Sequence, residues 1–182
     1  MPISPLADLM CNIERPRTAK RLEFLNYVFT TAEINYWSQA ANVEGNYRND
    51  GDDDAGFYYL IESNDPDGWG LDDELTSHLR AIGRLEPGKG KNEQHWFIKI
   101  DIDVVEMGIM RFWEHCLGAR DICGRPEGHP DFKPDKCHAI PEGHYWWKFL
   151  VQDLTNGEDG DSDSDVCDTI IQLGLFDEVV YA

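Results

Sequence analysis

The net charge of this chain is confined to two windows, and that distribution limits how the chain can fold. Residues 49–79 carry ten acidic side chains and residues 149–182 carry nine, and neither window contains a lysine or an arginine. Outside the windows, sixteen acids are matched by sixteen basic residues, although the whole chain has a formal net charge of −19. Because an unpaired carboxylate is costly to bury, the sequence predicts that both windows contribute an acidic surface.

The same distribution restricts the partners and the compartment. Nucleic acid and anionic membranes both bind basic surfaces, so neither is expected as a direct partner. No stretch approaches the roughly 20 apolar residues that cross a bilayer. The segment from Met1 to Pro5 lacks a basic region followed by an apolar run, and the five cysteines are odd in number and dispersed. We therefore expect a soluble, cytoplasmic protein whose cysteines are reduced thiols or metal ligands rather than disulfides.

The spacing of apolar residues predicts a mixed fold. Helices are expected over residues 18–31, 72–85, 101–117, 145–154 and 166–173. Strands are expected over residues 42–47, 56–61, 96–100 and 178–181, with the first two joined as a hairpin that has an acidic tip. The prediction is an α+β fold in which residues 1–182 form a single domain and several helices pack a small antiparallel sheet. Residues 119–144, rich in Cys and His, are predicted to be a loop-like insertion.

The dense carboxylates are the first candidate for a functional site. Carboxylates held at phosphate-like spacing could engage a Lys/Arg-lined channel that normally binds nucleic acid, through the same long-range attraction. The candidate partner-binding residues are Asp52, Asp53, Asp54, Asp72, Asp73, Glu74, Asp161, Asp163 and Asp165. The alternative is that these acids only keep the protein soluble and cap helices, as Asp163 and Asp165 could for the last helix.

Cysteine and histidine side chains concentrate in a second candidate site. Thiolate and imidazole are preferred Zn²⁺ ligands, and a metal can organise a loop that has no other structure. Zinc is therefore the candidate cofactor, with Cys123, His129, Cys137 and His144 as the ligand set. The alternative is that all four are unligated loop residues, because their spacings exceed the usual Cys-x₂₋₄-Cys. The same region holds a short repeat, Pro-Glu-Gly-His, at residues 126–129 and 141–144.

Three segments carry a resemblance to a known group of proteins. They are residues 29–39, which include Ile-Asn-Tyr-Trp-Ser-Gln, the helix around Gly108-Ile109, and residues 165–182, which include Ile-Ile-Gln-Leu-Gly-Leu-Phe and Glu-Val-Val-Tyr. These segments resemble a group of small accessory proteins common in phages of actinobacteria. The resemblance covers the two ends of the chain more than its middle, and the group has no assigned activity. It implies an intracellular, phage-encoded accessory protein and supplies no catalytic residue.

These observations together predict a non-enzymatic acidic binding protein. It would be a phage inhibitor that imitates DNA and docks on a basic site of a host defence or DNA-processing protein. The sequence contains no Walker motif and no Gly-x-Ser-x-Gly nucleophile elbow. Two alternatives stay open. One is a small metal-dependent enzyme that acts on a nucleotide or nucleic-acid component through residues 123–144, and the other is a structural or assembly accessory protein.

Overall fold

The computed structural model describes residues 13–32, 58–63, 73–87, 96–141 and 143–180. Its helices are α1 (Ala19–Thr31), α2 (Asp73–Ala81), α3 (Ile102–Cys116), α4 (Tyr145–Leu154) and α5 (Ser164–Phe176), with a 3₁₀ turn at Pro134–Lys136. Its strands are β1 (Tyr58–Ser63), β2 (Leu85–Pro87) and β3 (Trp96–Asp101). Helix dominates the described residues and strands are also present, so the mixed class is confirmed in that coarse form.

The chain divides into two compact units. One lies within residues 1–32 and 105–182, and the other lies within residues 33–104. We call them the helical unit and the sheet unit. The prediction that residues 1–182 form a single domain stays a prediction. None of the described helices combines the length and the apolar character needed to span a membrane.

The described strands of the sheet unit are antiparallel, in the order β1-β3-β2. Ile98 and Ile100 on the central strand are both fully buried, and residues two apart in a strand point to the same face. The strand gives way to α3 at Asp101, whose Oδ1 accepts a hydrogen bond from the backbone N–H of Val104 at 3.2 Å. The other carboxylate oxygen of Asp101 pairs with Arg84. One aspartate therefore both ends β3 and caps the following helix.

The helix predicted over residues 72–85 is shorter than expected. It ends at Ala81, and Gly83 follows with φ +69°, a left-handed conformation that commonly terminates helices. The chain then forms β2, which the apolar spacing did not predict because a three-residue strand carries too little periodicity. The strand predicted over residues 56–61 is observed as β1, whereas residues 42–47 and the acidic tip lie outside the described residues.

The core of the helical unit is built from aromatic rings on three helices. The ring of Phe149 on α4 lies 5.9 Å from that of Phe24 on α1 and 5.4 Å, edge-on, from that of Phe112 on α3. α5 packs closely on α3 at Gly108, since a Cβ atom at that position would overlap the carbonyl oxygen of Ile170. These contacts join α4 to α1 and α3, and α5 to α3; the candidate site lies in the segment that connects α4 to α5.

The end of the chain does not form the predicted strand. α5 extends to Phe176 and closes with Asp177 in the left-handed region at φ +64°. Val179 then donates its N–H to the carbonyl oxygen of Cys123 at 2.8 Å, and Val180 donates to Oε1 of Gln172 at 3.0 Å. The strand prediction over residues 178–181 is therefore wrong for residues 178–180. The backbone N–H groups of Val179 and Val180 bond a loop carbonyl and a side chain instead of a neighbouring strand. Tyr181 lies outside the described residues.

Candidate functional site

The segment that leads from the end of α4 into the first two residues of α5 is the most acidic part of the helical unit. We call residues 156–165 the acidic loop. It carries five exposed carboxylates, those of Glu158, Asp159, Asp161, Asp163 and Asp165. Three of these five were predicted as partner-binding residues from the sequence. Glu158 and Asp159 are the two that the prediction omitted, although they belong to the same charge run.

The other predicted partner-binding residues belong to the first charge window, residues 49–79. Asp73 and Glu74 begin α2 in the sheet unit. The remaining four, Asp52, Asp53, Asp54 and Asp72, lie outside the described residues. Within the described part of the helical unit, the structure places Asp161, Asp163 and Asp165 in one short segment.

Two glycines hold the backbone of the acidic loop against its neighbouring helices. At Gly160, with φ +93°, a Cβ atom would lie 2.7 Å from the backbone nitrogen of Gln152 and would overlap the carbonyl oxygen of Lys148. At Gly157, with φ +88°, a Cβ atom would lie 3.3 Å from Cδ2 of Phe24. The loop therefore lies directly on α4 and α1, and both positions require a residue without a side chain.

Hydrogen bonds fix the same loop along its length. Thr155 Oγ1 accepts the backbone N–H of Asp159 at 3.0 Å. Ser162, which is buried, donates its hydroxyl to the phenol oxygen of Tyr27 at 3.5 Å. Asp163 Oδ1 accepts the backbone N–H of Val166 at 2.9 Å and so caps α5. The predicted capping role of Asp163 is confirmed. The cap uses one oxygen of an exposed carboxylate, so this role and contact with a partner are compatible.

Few cations neutralise the acidic loop. Lys20 pairs with Glu158, and Lys148 Nζ lies 4.0 Å from a carboxylate oxygen of Asp161. All four side chains are exposed, and exposed pairs contribute little to stability. Within the described part of the chain, no ion pair reaches Asp159 or Asp165.

The arginines of the helical unit are paired elsewhere. Arg15 and Arg21 pair with Asp153, Arg111 and Arg120 pair with Asp177, Arg17 pairs with Glu106, and Arg125 pairs with Glu178. Because these guanidinium groups have their own carboxylates, they do not offset the charge of the acidic loop.

A buried carboxylate holds together part of the stretch for which a zinc site was predicted. Asp121 is fully buried. Its Oδ1 accepts the backbone N–H groups of Cys123 at 2.9 Å and Arg125 at 3.0 Å, and its Oδ2 accepts that of Lys133 at 3.1 Å. One side chain therefore ties together segments that are twelve residues apart, which is the organising role that the sequence analysis gave to zinc.

The Pro-Glu-Gly-His repeat is a repeated turn. In each copy the histidine N–H donates to the proline carbonyl oxygen, at 3.1 Å for His129 and 3.0 Å for His144. The intervening Gly128 and Gly143 have φ +101° and +86°, which favour glycine. Each histidine then accepts, through Nδ1, the backbone N–H two residues further on, at 3.1 Å in the first copy and 3.3 Å in the second. Each histidine thus accepts a hydrogen bond from the backbone that follows its turn, and His144 is the N-cap of α4.

The predicted zinc ligands do not form a cluster. Cys123, His129, Cys137 and His144 all lie within the described residues, where no group of three or more Cys, His, Asp or Glu side chains is placed to hold a metal ion. His129 Nε2 faces a carboxylate oxygen of Glu178 at 3.7 Å, and Cys137 Sγ lies 3.8 Å from the carbonyl oxygen of Lys133. The four residues as arranged do not fit a tetrahedral zinc site. Zinc binding remains a prediction from the sequence.

A buried histidine gives the helical unit a pH dependence. Burial is the main cause that lowers the pKa of His115 to about 4. A hydrogen bond with the backbone of Asp121 raises this pKa, and so does the charge of the Asp121 carboxylate. The charges of Arg120 and His138 lower it. Its Nδ1 has no hydrogen-bond partner among the described residues, and its ring lies 5.5 Å from that of Trp146. The folded state therefore favours the neutral ring.

Acid should remove the stability that His115 contributes. The contribution is complete above the ordinary pKa of 6.5 and is lost as the pH falls from 6.5 toward 4. Between pH 7 and pH 4.5 the wild type should lose about 2–3 kcal/mol more than the variant His115→Phe, which keeps an aromatic ring but cannot be protonated. Urea unfolding at the two pH values measures the difference. Equal losses in both proteins would show that His115 is not held neutral.

Comparisons with known proteins give no match from which a function could be inferred. The chain matches no model of a protein family, no curated protein and no solved structure.

Sequence reasoning missed Asp121 and Asp153, because a buried aspartate is not distinguishable from a surface one by spacing. The signal that was available is the position of Asp121 two residues before Cys123, at the start of Asp-Ile-Cys-Gly-Arg-Pro, since aspartate often accepts a hydrogen bond from the backbone two residues on.

Proposed function

We propose that this protein is a non-enzymatic acidic binding protein that occupies a basic, nucleic-acid-binding site on another protein. The observation that carries the proposal is the acidic loop, whose five exposed carboxylates sit on a backbone held against α1 and α4. A partner that normally binds phosphates with lysine and arginine would bind these carboxylates by the same attraction. The protein would then inhibit that partner by competing with nucleic acid.

The anchoring of the loop supports this proposal over a merely solubilising role. A flexible acidic tail must be ordered on binding, and that ordering reduces the affinity. The close contacts at Gly157 and Gly160 and the cap at Asp163 order the acidic loop before any partner arrives. Preordered charge is also what imitation of a stiff DNA backbone requires.

The biological setting belongs to the same proposal. The resemblance to accessory proteins of actinobacteriophages suggests a cytoplasmic protein of an infected host, acting on a defence or DNA-processing protein. The proposal also assigns partner contacts to the predicted acids of the first charge window, namely Asp52, Asp53, Asp54, Asp72, Asp73 and Glu74. The finer architecture is part of the same proposal: helices pack a small antiparallel sheet, and residues 119–144 form an insertion.

Charge removal from the acidic loop should abolish partner capture. The test variant is Asp159→Asn with Asp161→Asn and Asp165→Asn, which leaves the cap at Asp163 intact. Immobilised wild type should capture a nucleic-acid-binding protein from actinobacterial lysate at about 50 mM salt and release it by about 200 mM, since such contacts are strongly salt-dependent. The variant should capture little of it at either concentration. Mass spectrometry of the eluates identifies and quantifies the captured protein.

The matched control removes the same charge from another surface. Glu14→Gln with Asp131→Asn and Asp135→Asn neutralises three exposed acids of the same unit and should capture as much partner as wild type. Equal capture by all three proteins would contradict the proposal. Equal loss in both variants would also contradict it, because the effect would then come from net charge and not from this loop.

A further inference from the structure

A groove runs beside the acidic loop, between α1 and the end of α4. Its volume is about 410 Å³, which lies within the roughly 300–1,000 Å³ typical of sites that enclose a small ligand or a side chain. Six of the residues that line it are Lys20, Glu23, Phe24, Tyr27, Gln152 and Glu158. The groove therefore combines aromatic and charged groups in a space large enough for one long side chain.

Gln152 supplies a hydrogen-bond acceptor that the fold leaves unused. Its residue is only 8% exposed, and its Oε1 has no hydrogen-bond partner among the described residues. A buried carbonyl oxygen without a donor costs folding free energy, and Gln152 lines the groove, so a donor supplied from the groove would stabilise this oxygen. The ligand should therefore carry N–H or O–H groups.

The remaining lining indicates the charge and shape of that ligand. Tyr27 lines the groove and is 40% exposed, so an aromatic ring is available there for stacking. The exposed carboxylates of Glu23 and Glu158 outnumber the single amine of Lys20, which already pairs with Glu158. A planar cation that carries several N–H donors satisfies all of these features at once.

We propose that the groove receives an arginine side chain from the basic partner. This inference rests on the proposed function and adds which side chain the partner inserts. A guanidinium group can stack on Tyr27, donate to Oε1 of Gln152 and pair with Glu23, because it is flat and carries five donors. A lysine ammonium is compact and strongly hydrated, so it matches this set less well.

A pair of peptides isolates the chemistry of the guest. One is a blocked Gly/Ser peptide with a single central arginine, and its twin carries citrulline, which has nearly the same shape and no charge. Titrated into ¹⁵N-labelled protein, the arginine peptide should shift the amide signals of Tyr27, Gln152 and Gly157. The citrulline twin and a lysine version should bind about tenfold more weakly or worse.

Variants of the groove separate this inference from the proposed function. Gln152→Met removes the acceptor and Tyr27→Ala removes the stacking face, and each should weaken binding of the arginine peptide about fivefold or more. Thr30→Ala, at an exposed position of the same helix, is the control and should change nothing. Far-UV circular dichroism confirms that each variant is folded.

The outcomes distinguish failure of the arginine site from failure of the proposed function. If arginine, lysine and citrulline peptides bind equally, or shift only residues 158–165, the groove does not select arginine and the inference fails, while partner capture by the acidic loop still stands. If none of the peptides binds, the inference also fails. If the arginine peptide binds in the groove but no partner is captured from lysate, the proposed function fails and the arginine site remains.

Discussion

Replacing Asp153 with alanine should lower the free energy of unfolding by about 3–5 kcal/mol, the cost of leaving buried charges without their partner. Its carboxylate is fully buried and accepts hydrogen bonds from Arg21 at 2.5 Å, Arg15 at 2.9 Å and the indole N–H of Trp113 at 2.9 Å. The Arg21 side chain is only 1% exposed, and its Nε already lacks a hydrogen-bond partner among the described residues. Without the carboxylate, this guanidinium would stay buried with no opposite charge.

Urea unfolding at pH 7 measures the loss, with two controls. Asp159→Ala removes an exposed aspartate a few residues away and should change the unfolding free energy by no more than about 0.5 kcal/mol. Asp153→Asn keeps the shape and one acceptor oxygen but not the charge, so it should fall between alanine and wild type. A loss below about 1 kcal/mol in Asp153→Ala would contradict the account, since water or another group would then accept the hydrogen bonds of Arg15 and Arg21.

Replacing Asp121 with alanine should cost at least about 3 kcal/mol, because three backbone N–H groups lose a charged acceptor at once. The loss should also be local. Amide hydrogen exchange should accelerate at Cys123, Arg125 and Lys133, whose N–H groups the carboxylate accepts, and much less at Val166, which Asp163 caps. Mass-spectrometric exchange on wild type and variant measures both effects together.

The same measurement decides whether a carboxylate or a metal organises residues 119–144. Asp131→Ala removes an exposed aspartate of that stretch and should leave exchange unchanged. Treatment of wild type with a chelator should also leave it unchanged if Asp121 is the organiser. Faster exchange after chelation, together with little effect of Asp121→Ala, would reverse this assignment and support the zinc site predicted from Cys123, His129, Cys137 and His144.

The elements that sequence reasoning located well are those whose signal is local. The helix at Tyr145–Leu154 has the predicted bounds, and α3 begins and ends within one residue of its predicted range, because a sustained apolar stripe is set by the helix itself. The cap at Asp163 was likewise readable, since capping depends only on residue type and position. Signals of this kind depend on residues close in sequence and not on how the rest of the chain packs.

The features that sequence reasoning missed depend on distant partners. Val179 and Val180 have strand-like composition, but their N–H groups bond Cys123 and Gln172, and strand formation depends on the neighbours available. The buried role of Asp153 arises from residues up to 138 positions away in sequence, as in its pairing with Arg15. The contacts that make Gly160 obligatory come from α4, so the sequence showed an acidic loop but not its anchoring.

The measurement that tests the central claim most directly is the affinity of the captured partner, once purified, for wild type and the two charge-matched triple variants. Titration at two salt concentrations gives both the dissociation constant and its salt dependence. The account predicts that neutralising Asp159, Asp161 and Asp165 weakens binding at least about tenfold and flattens the salt dependence, while neutralising Glu14, Asp131 and Asp135 changes the affinity less than about twofold. Equal affinities for all three proteins, or an equal loss in both variants, would contradict the claim that the anchored acidic loop is the docking surface.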